Sequence, residues 1–237
     1  MKLDALFFGA HPDDVELSCG GTVAKMINSG NSVGIIDLTQ GELGTRGSKD
    51  IREKEAIKAA GELGVTIREN LKFNDGNIEN TLSNRLKVIL VIRKYKPDMI
   101  FAPYLHDRHP DHMHASLLVR EGAFFSGLTK ITSILNGKHQ EPFRPKRLCY
   151  FMQTYTFEPS FVIDITDEFE TKMKAIKCYA SQFYDPNSRE PETFISDKKF
   201  IEYIEVRAKF YGFQIGVQYG EPFYTEEKIK LNPLSLF

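Results

Sequence analysis

Cysteine is scarce in this chain and shows no pairing pattern. Cys19, Cys149 and Cys178 are odd in number, far apart and without a C-x-x-C spacing, which argues against a disulfide framework and for a reducing compartment. Neither sign of charge is in excess. The 31 basic and 32 acidic residues leave a formal net charge of −1, so no overall field favours nucleic acid or an anionic membrane, and any anion recognition has to be local. No hydrophobic run approaches the length of a membrane-spanning helix. The first residues carry an acid at Asp4 and reach His11 before a long apolar region develops, which argues against a signal peptide. The expectation is a soluble, cytoplasmic protein without a nucleic-acid or membrane partner. G-x-G-x-x-G is absent after the first apolar run, where a histidine and aspartates stand instead, and this disfavours a nicotinamide cofactor. Internal repeats and low-complexity tracts are also lacking.

What is present is a chain of 237 residues with 41% apolar content, enough for one α/β domain over the whole length, with a less regular portion from 140 to 237. Short apolar runs at 3–9, 32–38, 70–73 and 98–103 predict buried strands. Between them, 16–28, 51–63 and 82–95 carry apolar residues near helical spacing, with Gly30, Gly64 and Pro97 as stop signals. This βα alternation predicts a Rossmann-like, mostly parallel sheet with helices on both faces. In a 3-2-1-4 strand order, the first and fourth strands are neighbours at the switch point, and the crevice opens beyond their carboxyl ends. Further on, helix is expected at 113–125, another turn or two within 128–136, strands at 148–153 and 160–165, helices at 167–181 and 198–210, and a loop over 185–191. The tail from 212 to 223 is rich in glycine and aromatics.

Two segments carry chemistry. His11-Pro12-Asp13-Asp14 follows the first expected strand, and His109-Pro110-Asp111-His112 follows the fourth, so the sheet order makes them neighbours. His11, Asp14 and His112 form a three-ligand nitrogen and oxygen set that leaves a position for water, the pattern of a catalytic zinc site. The same ligands also suit Fe(II), Co(II) or Mn(II). Taken alone, Asp13 and Asp14 also read as caps of the first helix, and the paired second segment is what weighs against that. Asp13 is a spare carboxylate beside the ligands, placed as a general base or as a group orienting His11. His109 stands one turn before His112, available to face a substrate carbonyl, to serve as a fourth ligand or to stay at the surface; Asp111 is placed to hold its tautomer. Glu42, in the loop after the second strand, is placed to accept from sugar hydroxyls or to remain a solvated loop acid. Arg46, Arg52 and Arg108 are the basic residues nearest the crevice, and Arg52 and Arg108 suit bidentate carboxylate binding. His106, His114 and His139 are assigned to surface and loop.

The segment from Gly9 to Glu16, the following Gly20-Gly21-Thr22 and the later H-P-D-H resemble the PIG-L/LmbE family of zinc-dependent N-acetylglucosaminyl deacetylases over about the first half of the chain. More finely, Gly41-Glu42-Leu43-Gly44-Thr45-Arg46-Gly47, the Arg52-x-x-Glu55 helix start and Gly220-Glu221-Pro222-Phe223 resemble the bacillithiol-biosynthesis deacetylases. The resemblance implies a Zn²⁺ cofactor, Asp13 as base, His109 as oxyanion stabiliser or acid to the leaving amine, and N-acetylglucosaminyl malate as the small-molecule substrate. It also implies a homo-oligomer. The rival readings are a deacetylase of another amino sugar and a metal- or sugar-binding module without turnover.

Overall fold

The computed structural model describes residues 1–230. Its elements run β1 (Ala5–Gly9), α1 (Asp14–Asn28), β2 (Val33–Thr39), α2 (Lys49–Leu63), β3 (Ile67–Phe73), α3 (Leu82–Tyr95), β4 (Met99–Pro103), α4 (Pro110–Ser126), β5 (Ile134–Leu135), β6 (Lys138–His139), β7 (Arg147–Phe151), β8 (Phe161–Asp164), α5 (Phe169–Lys177), α6 (Phe200–Gln214) and β9 (Gly220–Tyr224). A 7-stranded sheet has the order β3-β2-β1-β4-β7-β9-β8. The strands from β3 to β7 in that order are parallel, while β9 runs antiparallel between β7 and β8. The expected 3-2-1-4 order is therefore present, and the C-terminal portion adds three strands to the same sheet.

The two-residue periodicity of β1 divides the core. Ala5 and Phe7 face a cluster shared with α1, α2 and α5, whereas Leu6 and Phe8 face one shared with α3 and α4, as alternating side chains of a central strand must. Helix starts follow local chemistry. Ser48 caps α2 by accepting from Ile51 N–H, and Thr81 caps α3 by accepting from Asn84 N–H. No helix among the described residues is long and apolar enough to cross a membrane.

Four expectations need correction. The third strand begins at Ile67 rather than 70, because it pairs with β2 along that length. In place of helix over 128–136 there is a hairpin, β5 with β6. Its turn is Asn136-Gly137, both at positive φ, a dipeptide suited to a tight hairpin; His139 sits in β6 rather than in a loop. The helix expected to reach 181 ends at Lys177. The tail contains β9, whose short half-polar run gave no strand signal.

That last strand explains the Gly-Glu-Pro-Phe pattern. Helix α1 is broken at Cys19, which has φ −144 and ψ 25, so the restarting helix has N–H groups with no intrahelical acceptor. The buried Glu221 carboxylate caps them, accepting from Gly21 N–H (3.0 Å), Thr22 N–H (2.7 Å) and the Thr22 hydroxyl (2.6 Å), and it pairs with the buried Lys172 ammonium at 2.5 Å. Position 21 has to be glycine, since a Cβ there would lie 2.7 Å from the Ile165 side chain. Glu221→Ala should destabilise the fold by about 3–5 kcal/mol, because it strands an ammonium and its capped donors together. Urea unfolding checks this, and adding Lys172→Met should recover part of the loss.

Candidate active site

Both histidine segments emerge at the carboxyl ends of adjacent parallel strands, β1 and β4. After β1 the chain turns sharply, and Asp13 takes φ 110 and ψ −25 at the start of α1 without capping it. A non-glycine residue with that backbone is strained by about 1–3 kcal/mol, and here the turn presents Asp13 and Asp14 in different directions. The Asp14 carboxylate accepts from His11 N–H at 2.9 Å and lies 3.3 Å from His112 Nε2 and 3.7 Å from His11 Nδ1. One donor atom from each of His11, Asp14 and His112 falls within 4.8 Å of the others, and all three residues are buried.

The far nitrogen of each histidine meets a carboxylate. His11 Nε2 lies 3.0 Å from Asp75 and 3.3 Å from Asp111, and His112 Nδ1 lies 2.8 Å from Asp107. Such contacts fix the tautomer and point the other nitrogen inward, the arrangement that supports ligating imidazoles. The charges agree with a place for a cation. Burial opposes charge on His112, yet Asp14 and Asp107 push it up to about 9; His11 is raised well above its ordinary value against the same burial by Asp111, Asp14 and Asp75. Asp14 is held well below the usual carboxylate range despite burial, through His112 and His11. The donor set, its burial and its surplus of carboxylates thus fit a divalent ion. A second group, His11 with His109 and Asp111, fits less well, because the Asp111 carboxylate already accepts from Gly76 N–H (2.7 Å) and Ile78 N–H (3.3 Å).

Asp13 stands beside this set. Its carboxylate accepts from Arg52 Nη2 at 2.8 Å, and the same nitrogen donates to the Pro12 carbonyl. Burial pushes the Asp13 carboxyl up to about 7, with the Arg52 guanidinium working against the rise. Arg52 is held in turn by Gly41, at φ +65, whose absent Cβ would lie 2.6 Å from Nη1. The arginine expected to bind substrate is therefore engaged by Asp13. Glu55, one turn further along the same helix, accepts from Ser181 N–H and hydroxyl, both at 2.8 Å.

His109 caps α4, with Nδ1 accepting from Asp111 N–H at 3.2 Å. In the neutral ring the proton then sits on Nε2, and burial together with the neighbouring His11 and His112 lowers its basicity. The expectation that the Asp111 carboxylate holds His109 is corrected: that carboxylate turns to His11 and the 76–78 backbone, and only its N–H serves His109. Glu42 is likewise not in the cavity wall. It is exposed, and its carboxylate is drawn to Asp75 N–H (2.9 Å) and Gln40 N–H (3.2 Å), bracing the turn that carries Asp75. Arg46 donates to the Ser181 carbonyl at 3.1 Å. Arg108 lies at the cavity, over the Phe194 ring at 4.3 Å.

The cavity above these groups has a volume of about 450 Å³, within the range for small-molecule sites. His11, Asp13, Asp14, His109 and His112 line it together with Leu17, Phe194, Phe200, Tyr203 and Ile204. Four contributors went unread in the sequence: Asp75, Asp107, Gln153 and Arg207. Asp75 had a signal, as an acid in an Asn-Asp-Gly turn at the end of a parallel strand, and Asp107 had one in its spacing before His112. Gln153 and Arg207 had none.

A family model described as GlcNAc-PI de-N-acetylase, PIG-L, matches residues 6–123. The diacetylchitobiose deacetylase of Thermococcus kodakarensis is 30% identical over 223 residues, covering 89% of this chain and 78% of that protein. This chain belongs to the PIG-L family. A solved structure of a conserved Thermus thermophilus protein shares 37% identity with this PIG-L protein, at a TM-score of 0.86 over 98% of each chain. The 4-oxalmesaconate hydratase of Pseudomonas putida is 26% identical over 195 residues, 75% of this chain and 73% of its own. Proteins named for two reaction types thus resemble this PIG-L chain.

Proposed function

We propose that this protein hydrolyses the acetamide of an N-acetylglucosaminyl conjugate and releases acetate. The observation that carries this reading is Asp13: a buried carboxylate, additional to the His11-Asp14-His112 set, held at the cavity floor by Arg52. A binding module has no use for a strained, sealed base beside its ligands. His11, Asp14 and His112 would hold the ion, which we take to be zinc, with Fe(II) as the other candidate. Bound there, a divalent cation supplies Lewis acidity toward the acyl oxygen and lowers the pKa of water.

The protein groups divide the remaining work. Asp13 accepts a proton from the attacking water as the new C–O bond forms, and Arg52 keeps that carboxylate aimed. His109, with its proton on Nε2, donates a hydrogen bond to the acyl oxygen as that oxygen gains charge, and Asp13 delivers the proton it took to the departing nitrogen as the C–N bond breaks. The proton taken from water ends on the amine, leaving acetate and a free amino sugar. Leu17, Phe194 and Phe200 supply an apolar wall to the cavity. The similarity to a diacetylchitobiose deacetylase along most of both chains supports hydrolysis over hydration.

For the finer substrate we infer the malate conjugate of bacillithiol synthesis. Arg108 supports it: the guanidinium is at the cavity mouth, stacked on Phe194, and has no carboxylate partner among the described residues. Arg108→Ala should raise KM for N-acetylglucosaminyl malate by roughly 10-fold or more, as expected for a lost charge-assisted contact, and change KM for N-acetylglucosamine little. Arg52→Ala should instead lower kcat on both substrates. An acetate-release assay over N-acetylglucosaminyl malate, diacetylchitobiose and N-acetylglucosamine, with added Zn²⁺, tests the reading. Release from none of the three would overturn it, and equal efficiency on all three would remove the malate assignment alone.

A further inference from the structure

The segment after β7 reaches the reaction centre from a direction the histidine motifs do not announce. Gln153 lies two residues beyond the end of β7, which is the strand beside β4, and its side chain lines the cavity. Its Nε2 is 3.3 Å from His112 Nε2, the nitrogen that also faces Asp14. The rest of the segment is tied down. Arg207 donates to the Gln153 carbonyl, and Thr154 N–H (2.8 Å) and Tyr155 N–H (3.1 Å) donate to Asp107, the carboxylate that orients His112.

Two features make a purely structural role for this carboxamide a poor explanation. His112 is already oriented through Nδ1 by Asp107 at 2.8 Å, so a second contact at Nε2 adds nothing to its placement and occupies the face a ligated ion would take. Moreover, Gln153 Oε1 is sealed from solvent without a partner. Turning the amide over would orphan Nε2 instead, and a leucine or methionine would fill the space without either penalty. Buried polar groups left unsatisfied in this way are uncommon, and retaining one calls for an explanation beyond packing.

We propose that Gln153 is a further catalytic residue of this centre, whose Nε2–H donates to the substrate's acyl oxygen as that oxygen gains charge in the tetrahedral state. The proposal rests on the deacetylase reading. An ion held by the His112 Nε2 lone pair would leave that nitrogen unable to accept, so the Gln153 amide hydrogens, 3.3 Å from it, would be free to donate into the cavity. A neutral donor fixed by backbone contacts is suited to this work, because it needs no reorganisation as charge develops. Gln153 then acts together with His109, the two approaching from the ends of β7 and β4.

The test uses zinc-loaded protein with Gln153→Glu, which keeps the shape and removes the donors, and Gln153→Ala. In both, kcat for acetate release should fall by about 10²-fold, the usual cost of one oxyanion donor, with KM changed less than about threefold. Affinity for a tetrahedral methylphosphoramidate of glucosamine, measured by calorimetry, should fall in parallel, while zinc content and melting temperature stay at wild-type values. A kcat within about threefold of wild type in both variants overturns the proposal. So does loss of zinc, which would make Gln153 a support of His112. Wild-type protein that releases no acetate overturns the deacetylase reading and the proposal with it, whereas an active wild type with unaffected variants overturns the proposal alone.

Discussion

Asp13→Asn retains the bound metal and loses between about 10² and 10⁴ in kcat, the range for a removed general base. The substitution is close to isosteric and keeps an oxygen for Arg52, whose Nη2 reaches Asp13 at 2.8 Å, so the turn and the His11-Asp14-His112 set should persist. What disappears is the capacity to accept a proton next to the attacked carbon. The decisive feature is the separation of effects: kcat falls while metal content and KM stay near wild type. A variant with a near-normal rate would reduce Asp13 to a strained turn residue, and one that lost its metal would make Asp13 a ligand.

The second large effect concerns the ion itself. His11→Ala and His112→Ala should each abolish stoichiometric metal binding and reduce acetate release to background, since either leaves two protein ligands where a catalytic site uses three. Outer partners should matter by less. Asp107→Asn, which weakens the 2.8 Å contact on His112 Nδ1, and Asp75→Asn, on His11 Nε2 at 3.0 Å, should each cost about 10–100-fold in metal affinity, as second-sphere carboxylates commonly do. Competition against a chelator measures all four variants on one scale. Full occupancy in both alanine variants would place the ion elsewhere and remove the basis of the mechanism.

The gradation of these effects follows what could be read before the fold. Pattern alone brings His11 and His112 together, because βα alternation fixes the neighbouring strands and the motifs sit at their carboxyl ends. It says nothing of which side chain Asp111 chooses, since that depends on the turn at 74–76 folding back to offer Gly76 N–H at 2.7 Å. Arg52 shows the same limit: helical position places it near the crevice, but only the strained Asp13 backbone and the close approach of Gly41 decide that it engages the Asp13 carboxylate. Gln153 and Arg207 come from beyond β7, where the antiparallel insertion of β9 between β7 and β8 breaks the regular alternation. The hairpin at Asn136-Gly137 was legible in its turn dipeptide and was masked by apolar spacing around it. Glu221 stands in the Gly-Glu-Pro-Phe pattern, and its work is to cap a broken helix and pair with Lys172, a role set by packing across the sheet.

Since a hydratase is among the relatives, the most direct measurement follows the oxygen of water. Zinc-loaded protein and N-acetylglucosaminyl malate in ¹⁸O-water should yield acetate carrying one ¹⁸O and an equal amount of free amine, with both products absent for Asp13→Asn on the same timescale. If no labelled acetate forms from this or any other N-acetyl amino sugar, while an unsaturated dicarboxylate takes up water across its double bond, the site is a hydratase and the account given for Asp13 and His109 is wrong.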